Sequence, residues 1–198
     1  MKKCILCFLL FLLVCCPLAS LGEGNNLLAN GGFEELSANG NPKGWTPKAY
    51  YSQIGYGNQS VTDERAHSGE RSILIENFAN NDTRFYTEVR VAPSSLYKLS
   101  AWVWVEKVSG GNGANLALED IISVSDTLLE PTEGWQYLEW YGETGSNQKN
   151  VTFGVRLGGY GRESKGRVFF DDVVLEKVDS LPFGVTASLW YNDYTKIA

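Results

Sequence analysis

Pairs of adjacent carboxylates are the residues of this chain that could do chemistry, among them Glu34–Glu35, Glu119–Asp120 and Asp171–Asp172. Two carboxylates suffice for glycoside hydrolysis, and carboxylate oxygens also bind Ca²⁺. The last of these pairs lies within GRVFFDDVVLE, whose valines, phenylalanines and leucine are typical of a β-strand. Because neighbouring residues of a strand point to opposite faces, an adjacent pair there cannot flank one glycosidic bond. The pair therefore does not indicate a hydrolase.

Other catalytic chemistry lacks the residues that it needs. The sequence has one histidine, His67, in the turn-like segment AHSGERS, and a serine or cysteine triad or a histidine-rich zinc site needs more. The glycine-rich stretch GGYGRESKG lacks the G-K-S/T ending of a phosphate-binding loop. We therefore predict that this chain is not an enzyme.

Residues 1–22 have the layout of a secretory signal peptide. Lys2 and Lys3 precede an apolar run, which Pro17 and small residues follow. A membrane anchor would need nearer to about 20 apolar residues, so we predict a secreted protein, extracellular or at the cell surface, that is not integral to the membrane once this segment is removed. All four cysteines lie in the segment, so the mature chain has no disulfide.

The mature chain is acidic, with 15 basic and 23 acidic residues once Lys2 and Lys3 are removed. Nucleic-acid-binding proteins present a basic surface, so we expect no nucleic-acid partner. The charge is compatible with neutral ligands and with calcium.

Short segments rich in β-branched and aromatic residues, separated by Gly, Asn, Ser or Pro, dominate the remaining chain. Examples are RSILIENF, TRFYTEVRVAP, LYKLSAWVWVEKV and KNVTFGVRLGGYG. They predict an all-β fold, an antiparallel β-sandwich or jelly roll, over residues 23–178. The pattern changes after Lys177, so residues 179–198 are an edge strand, a tail or the start of a further element.

A set of motifs occurs in a characteristic order: NLLANGGFEE, NPKGWT, AHSGERSILIE, LYKLSAWVWV, TEGWQYLEW and VFFDDVVLE. In this order they resemble the galactose-binding-like β-sandwich carbohydrate-binding modules found beside bacterial cellulases and xylanases. The resemblance covers about Asn26 to Lys177. It implies a non-catalytic module that binds poly- or oligosaccharide on a concave sheet, with a neighbouring catalytic domain as a possible partner.

The resemblance also implies a structural Ca²⁺ that ties the closing strand to the start of the domain. Its ligands would be Glu34, Ser68, the carbonyl of Arg71, and Asp171. Strand alternation places Asp171 on the apolar side with Phe169, Val173 and Leu175, where a carboxylate needs a compensating partner. The alternative is that Asp171 binds an arginine or the amides of a turn.

Strand order and the resemblance together place the polar faces around Arg84, Glu119 and Arg156 on one sheet. Sugars are bound by aromatic rings under their C–H patches and by planar polar groups at their hydroxyls. We predict that the ligand residues are Arg84, Tyr86, Glu119, Arg156 and Tyr160, with one tyrosine of the flanking loops, Tyr50, Tyr51 or Tyr56, of which we choose Tyr51. The alternative for each arginine and tyrosine is an ordinary cross-strand partner.

The tryptophans fall into two groups. The resemblance implies that Trp45 and Trp135 pack in the core. Trp102 and Trp104 alternate with apolar residues in LSAWVWV, so they form either a sugar platform or a sticky outer patch, depending on the sheet that holds them. The competing functions are an adhesion or structural domain of the same fold, and the ancillary domain of a larger glycan-active enzyme.

Overall fold

A computed structural model describes residues 26–119 and 121–192 of the chain. The predicted signal peptide, residues 1–22, lies outside the described residues, as do Asp120 and residues 193–198. Among the described residues, no helix is long and apolar enough to cross a membrane.

Ten strands form two facing sheets within the described part of the chain. They are β1 Thr46–Ala49, β2 Gly57–Thr62, β3 Ser72–Asn81, β4 Thr83–Arg90, β5 Leu96–Ser109, β6 Ala114–Leu118, β7 Gln136–Glu143, β8 Asn150–Leu157, β9 Ser164–Val178 and β10 Ser188–Leu189. One sheet has the order β1-β4-β8-β6 and the other β10-β7-β5-β9-β3-β2. The predicted all-β sandwich is confirmed. Its pairings are antiparallel except for β10, which runs parallel to β7.

The core lies between the sheets and follows the alternation of the strands. On β5, Leu99, Ala101, Val103 and Val105 are fully buried, while the residues between them point to the outer face. The four-stranded sheet contributes Phe85, Leu116, Phe153 and Val155 from the opposite side. A chain without disulfides among its described residues depends on this apolar layer for its stability.

The four-stranded sheet brings together the strands around Arg84, Glu119 and Arg156, which the sequence analysis placed on one sheet. Pairing aligns Lys48 with Arg84, Arg84 with Arg156, and Arg156 with Asn115 in one row across β1, β4, β8 and β6. This row lies on the outer face, because Phe85, Val155 and Leu116, the next residues along β4, β8 and β6, are in the core.

A β-bulge interrupts β9 at the two aspartates and overturns the alternation expected there. Trp102 pairs with Asp171 and Ser100 with Val174, so β9 carries one extra residue. The backbone at Asp172 accommodates the extra residue with a positive φ of 46°. Aspartate tolerates this conformation better than most residues do. Asp171 therefore lies on the outer face with Phe169, whereas Val173 and Leu175 face the core.

The segment after β9 belongs to the same sandwich. Its strand β10 extends the larger sheet, and Trp190 inserts into the core with only 2% of its surface exposed. The indole packs on Trp140 at 5.4 Å between ring centroids, and it occupies the space where a side chain on Gly142 would lie. An edge strand was one of the alternatives predicted for residues 179–198, and residues 188–189 form such a strand, β10.

Replacing Trp190 by alanine should lower the free energy of unfolding by roughly 3–5 kcal/mol, because it leaves a large cavity in the core. Chemical denaturation monitored by circular dichroism measures the change. Phe183, which is fully exposed in the same segment, is the matched control, and Phe183→Ala should have no measurable effect. Equal stability of the two variants would show that the segment does not support the fold.

Candidate functional site

A cleft of about 530 Å³ opens on the outer face of the four-stranded sheet. The row of polar side chains across β1, β4 and β8 contributes to its floor, and the segment that follows β6 lines one wall. We call it the sheet cleft; its lining includes Lys48, Tyr50, Asp82, Arg84, Asn112, Glu119, Ile121, Ile122, Arg156, Tyr160 and Arg162.

A network of ion pairs holds the floor of the sheet cleft in place. Arg156 donates to Asp82 through Nε at 2.6 Å and Nη2 at 2.5 Å. Arg84 donates to both carboxylate oxygens of Glu119, with Nη2 at 3.1 Å from Oε2, and its Nη1 reaches Asp82 at 3.3 Å. Lys48 adds a longer contact to Glu119 at 3.3 Å. Paired guanidinium and carboxylate groups have fixed planes, so the floor presents hydrogen-bonding groups in set directions.

Exposed tyrosine rings stand at the rim. Tyr160 is 76% exposed on the turn after β8, and Tyr50 is 64% exposed just after β1. The amide of Tyr50 donates to the carbonyl of Asp82 at 2.8 Å, which ties this part of the rim to the floor. Rings held at the mouth of a polar cleft can stack on a flat apolar patch of a ligand.

The predicted ligand residues divide between locations. Arg84, Glu119, Arg156 and Tyr160 line the sheet cleft together. Tyr86 lies one row farther along β4, where the ammonium of Lys48 approaches its ring at 5.7 Å, and it does not line the cleft. Tyr51 lines a separate groove between the edges of the two sheets.

Sequence reasoning missed Asp82 and Lys48, both of which line the sheet cleft. Asp82 is the single residue between β3 and β4, so strand alternation assigned it no face. The sequence carried little signal for it, because Asp82 follows Asn80 and Asn81 in a stretch that is typical of a turn.

The loop between β2 and β3 covers the part of the outer face of the six-stranded sheet that holds Trp102 and Trp104. The His67 imidazole stacks on Trp102 with 4.1 Å between ring centroids, and the guanidinium of Arg65 lies 4.2 Å from the ring of Trp104. These contacts occupy the tryptophan faces that could have formed a platform. Because β5 lies in the larger sheet, neither ring reaches the sheet cleft.

The two remaining tryptophan interpretations have different outcomes. Trp45 is 5% exposed and packs on Phe33 and Phe153, so its prediction as a core residue is confirmed. The same prediction for Trp135 is wrong. Trp135 packs edge-on against Trp104 at 6.0 Å on the outer face, because Leu138 and Trp140 are the core-facing residues of β7.

The four predicted calcium ligands meet at one corner of the sandwich. Asp171 Oδ2 accepts the amides of His67 at 2.7 Å and Ser68 at 3.2 Å. Glu34 Oε1 accepts the amide of Arg71 at 2.9 Å. Asp171 thus binds turn amides, as in the alternative interpretation. In residues 26–119 and 121–192, no cluster of three or more acidic, histidine or cysteine side chains has a metal-binding arrangement.

The charge of Asp171 is incompletely compensated at this corner. Its side chain is fully buried, and burial, with a smaller contribution from the negative charge of Asp172, raises the pKa of Asp171 to about 6. The amide hydrogen bonds oppose this rise without cancelling it.

Replacing Arg156 by alanine should lower the free energy of unfolding by roughly 3 kcal/mol. The substitution leaves the buried carboxylate of Asp82 with only the longer contact from Arg84, and a buried charge that loses its partner is costly. Urea denaturation measures the effect. Lys43→Ala is the control, because Lys43 and Glu35 form a fully exposed pair that should be worth little. A loss no larger than in the control would mean that the Asp82 pair is not structural.

Solved structures with the same fold were found at low sequence identity. TmCBM61, in complex with β-1,4-galactotriose, aligns at a TM-score of 0.50 and 20% identity, covering 78% of this chain and 99% of that one. The CBM22-1–GH10 part of Clostridium thermocellum xylanase 10B, complexed with xylohexaose, aligns at 0.54 and 13%, covering 82% and 30%. The enzymatically active domain of bacteriophage CBA120 tailspike protein 4 aligns at 0.55 and 10%, covering 78% and 22%.

The three alignments cover very different shares of the solved chains. This chain spans nearly all of TmCBM61 but less than a third of the xylanase and tailspike chains. The alignments confirm the predicted β-sandwich fold. A comparison with curated proteins gave no significant match.

The family model is decisive for membership. The model of the carbohydrate binding domain (CBM_4_9) matches residues 25–161, well over half of the chain. The matched range includes β1 to β8 and every predicted ligand residue. This chain therefore belongs to the carbohydrate binding domain family.

Proposed function

We propose that this chain is a secreted, non-catalytic module that binds poly- or oligosaccharide in the sheet cleft. The observation that carries the proposal is the combination of a floor of fixed guanidinium and carboxylate groups with exposed tyrosine rings at the rim. Family membership supports the class of ligand.

The chemistry of the sheet cleft suits a sugar chain. The paired groups of Arg84, Glu119 and Arg156 offer donors and acceptors side by side on the cleft floor, where they can bond neighbouring hydroxyls of a pyranose. The rings of Tyr50 and Tyr160 can lie against the C–H faces of the sugar. The cleft volume falls in the range of ordinary ligand sites, about 300–1,000 Å³.

The proposed biological role is to hold a catalytic domain, or the cell, close to a glycan. In the Clostridium thermocellum structure a module of this fold accompanies a GH10 module, which supports an ancillary role beside an enzyme. The adhesion alternative gains less support, because the Trp102 and Trp104 rings are covered by the chain's own loop.

Replacing Tyr160 by alanine should weaken glycan binding about tenfold, the equivalent of about 1.4 kcal/mol, because it removes a stacking ring at the rim. Isothermal titration calorimetry with soluble xylan, β-1,4-galactan and β-glucan measures the affinity after an affinity-gel screen. Tyr137→Ala is the matched control, since Tyr137 is 46% exposed on the opposite sheet, and it should bind like the wild type. A folded wild-type protein that binds no glycan would refute the proposal, as would equal losses in both variants.

We also propose a structural Ca²⁺ at the corner of Glu34, Ser68, Arg71 and Asp171. The kinds of donor atom suit Ca²⁺, because carboxylate, hydroxyl and carbonyl oxygens are the ligands that it prefers, and a cation would offset the cost of burying the charge of Asp171, whose pKa burial raises. Bound there, the ion would supply positive charge that links the first turns of the domain to β9. Its role would be stability and not chemistry on the glycan.

Chelation by EDTA should lower the melting temperature by roughly 4–8 °C, as expected for the loss of about 2 kcal/mol in a domain of this size. Asp171→Asn should abolish the response, because it removes the buried charge that the cation offsets. Asp172→Asn is the control and should keep it. Identical behaviour of the two variants, or no response in the wild type, would contradict the assignment.

A further inference from the structure

A second groove, of about 440 Å³, lies between β1 and β2, the edge strands of the two sheets. We call it the edge groove. Its lining is Pro47, Lys48, Ala49, Tyr51, Ser52, Gly57, Asn58, Gln59, Asn81 and Thr83. None of these residues except Lys48 and Ala49 takes part in the sheet cleft, so the edge groove is a separate surface.

The edge groove and the sheet cleft meet at β1. Lys48 and Ala49 line both, Tyr50 lines the sheet cleft, and Tyr51 lines the edge groove. The rings of Tyr50 and Tyr51 are 4.7 Å apart between centroids, and Tyr51 is 4.8 Å from Tyr56. These three partly exposed tyrosine rings thus form a continuous track that links the sheet cleft to the edge groove.

The track is built in advance of any ligand. Asn81 is fully buried, and its side chain both accepts from the Tyr51 amide at 2.9 Å and donates to the Tyr51 carbonyl at 2.9 Å. Fixing the backbone of Tyr51 in this way removes an ordering cost from binding. Although Asn81 begins the sequon Asn81-Asp82-Thr83, its amide is occupied and inaccessible in the folded chain.

The polar groups of the edge groove suit an uncharged ligand. Asn58 and Gln59 contribute amides and Ser52 a hydroxyl, and Lys48 is the one ionisable side chain besides Tyr51 among the described lining residues. Oε1 of Gln59 is buried and receives no hydrogen bond from any residue that the structure describes. Buried carbonyl oxygens normally have a donor, and the Gln59 amide must turn toward the edge groove for a sugar hydroxyl to become that donor.

We infer that the edge groove is a second subsite for the same glycan chain, so that the domain binds a chain long enough to cross β1. This inference rests on the proposed function of the sheet cleft. The occupant is a neutral segment of the polysaccharide, stacked on Tyr51 and hydrogen-bonded to Asn58 and Gln59. Affinity consequently rises with chain length until both depressions are filled.

The test is an affinity series against β-1,4-linked xylo-, galacto- and gluco-oligosaccharides from disaccharide to octasaccharide, measured by titration calorimetry. In the wild type, the longest chains should bind at least about tenfold more tightly than the shortest chain that binds. Tyr51→Ala should reduce that ratio about tenfold, and Asn58→Ala, an exposed substitution on an edge strand, should reduce it in the same direction. Tyr160→Ala should weaken short and long chains alike.

The outcomes separate the two proposals. Suppose that the wild type binds glycan and that Tyr51→Ala and Asn58→Ala keep its dependence of affinity on chain length. This result overturns the second subsite and leaves the sheet cleft as the binding site. No binding to any polysaccharide or oligosaccharide in the series overturns the proposed function and this inference together. Tyr137→Ala, on the other sheet, should keep the wild-type ratio, and its melting temperature provides the reference for folding of the variants.

Discussion

The buried ion pair between Asp82 and Arg156 is the interaction on which the arrangement of sheets and cleft depends. Asp82 is the single residue between β3 in the larger sheet and β4 in the smaller one. Its carboxylate binds Arg156 of β8, and its carbonyl accepts the amide of Tyr50. Nearby, the Asn77 side chain donates to the carbonyl of Ser164 in β9. Because unsatisfied buried polar groups are costly, this corner constrains both sheets and the floor of the cleft at once.

The two outer faces have different roles for a physical reason. On the larger sheet, Arg65 and His67 cover tryptophan rings, which keeps an apolar surface from water. On the smaller sheet, Arg84 pairs with Glu119 and Arg156 pairs with Asp82. Because these charges are compensated, this face needs no covering loop and can remain accessible to a ligand. A polar floor that is already internally paired is suited to a ligand rich in hydroxyl groups and poorly suited to an apolar protein surface.

The adjacent aspartates show where strand alternation fails to predict the direction of side chains from sequence. Alternation predicts that Asp171 and Asp172 point to opposite faces, but the carboxylates of both contact His67 and Ser68. It fails to identify the face, because the bulge at Asp172 inserts a residue and reverses the order beyond it. Asp171 consequently lies under the loop that carries His67 and Ser68 and accepts their amides. The bulge in β9 arises from its pairing with β5. The local sequence of β9 does not show which residue of β5 lies opposite each of its own residues, so it could not predict the bulge.

The sequence by itself determined the class of fold, because period-two alternation is a local property of a chain. The grouping of Arg84, Glu119 and Arg156 on one sheet came from strand order together with the family resemblance of the ordered motifs. Tertiary structure decided that Asp82 completes the cleft, that Tyr51 lies in a neighbouring groove, and that Trp190 closes the core. Each of these depends on contacts between residues far apart in sequence. Their geometry is set by sheet pairing and by the packing between sheets, which no single segment specifies.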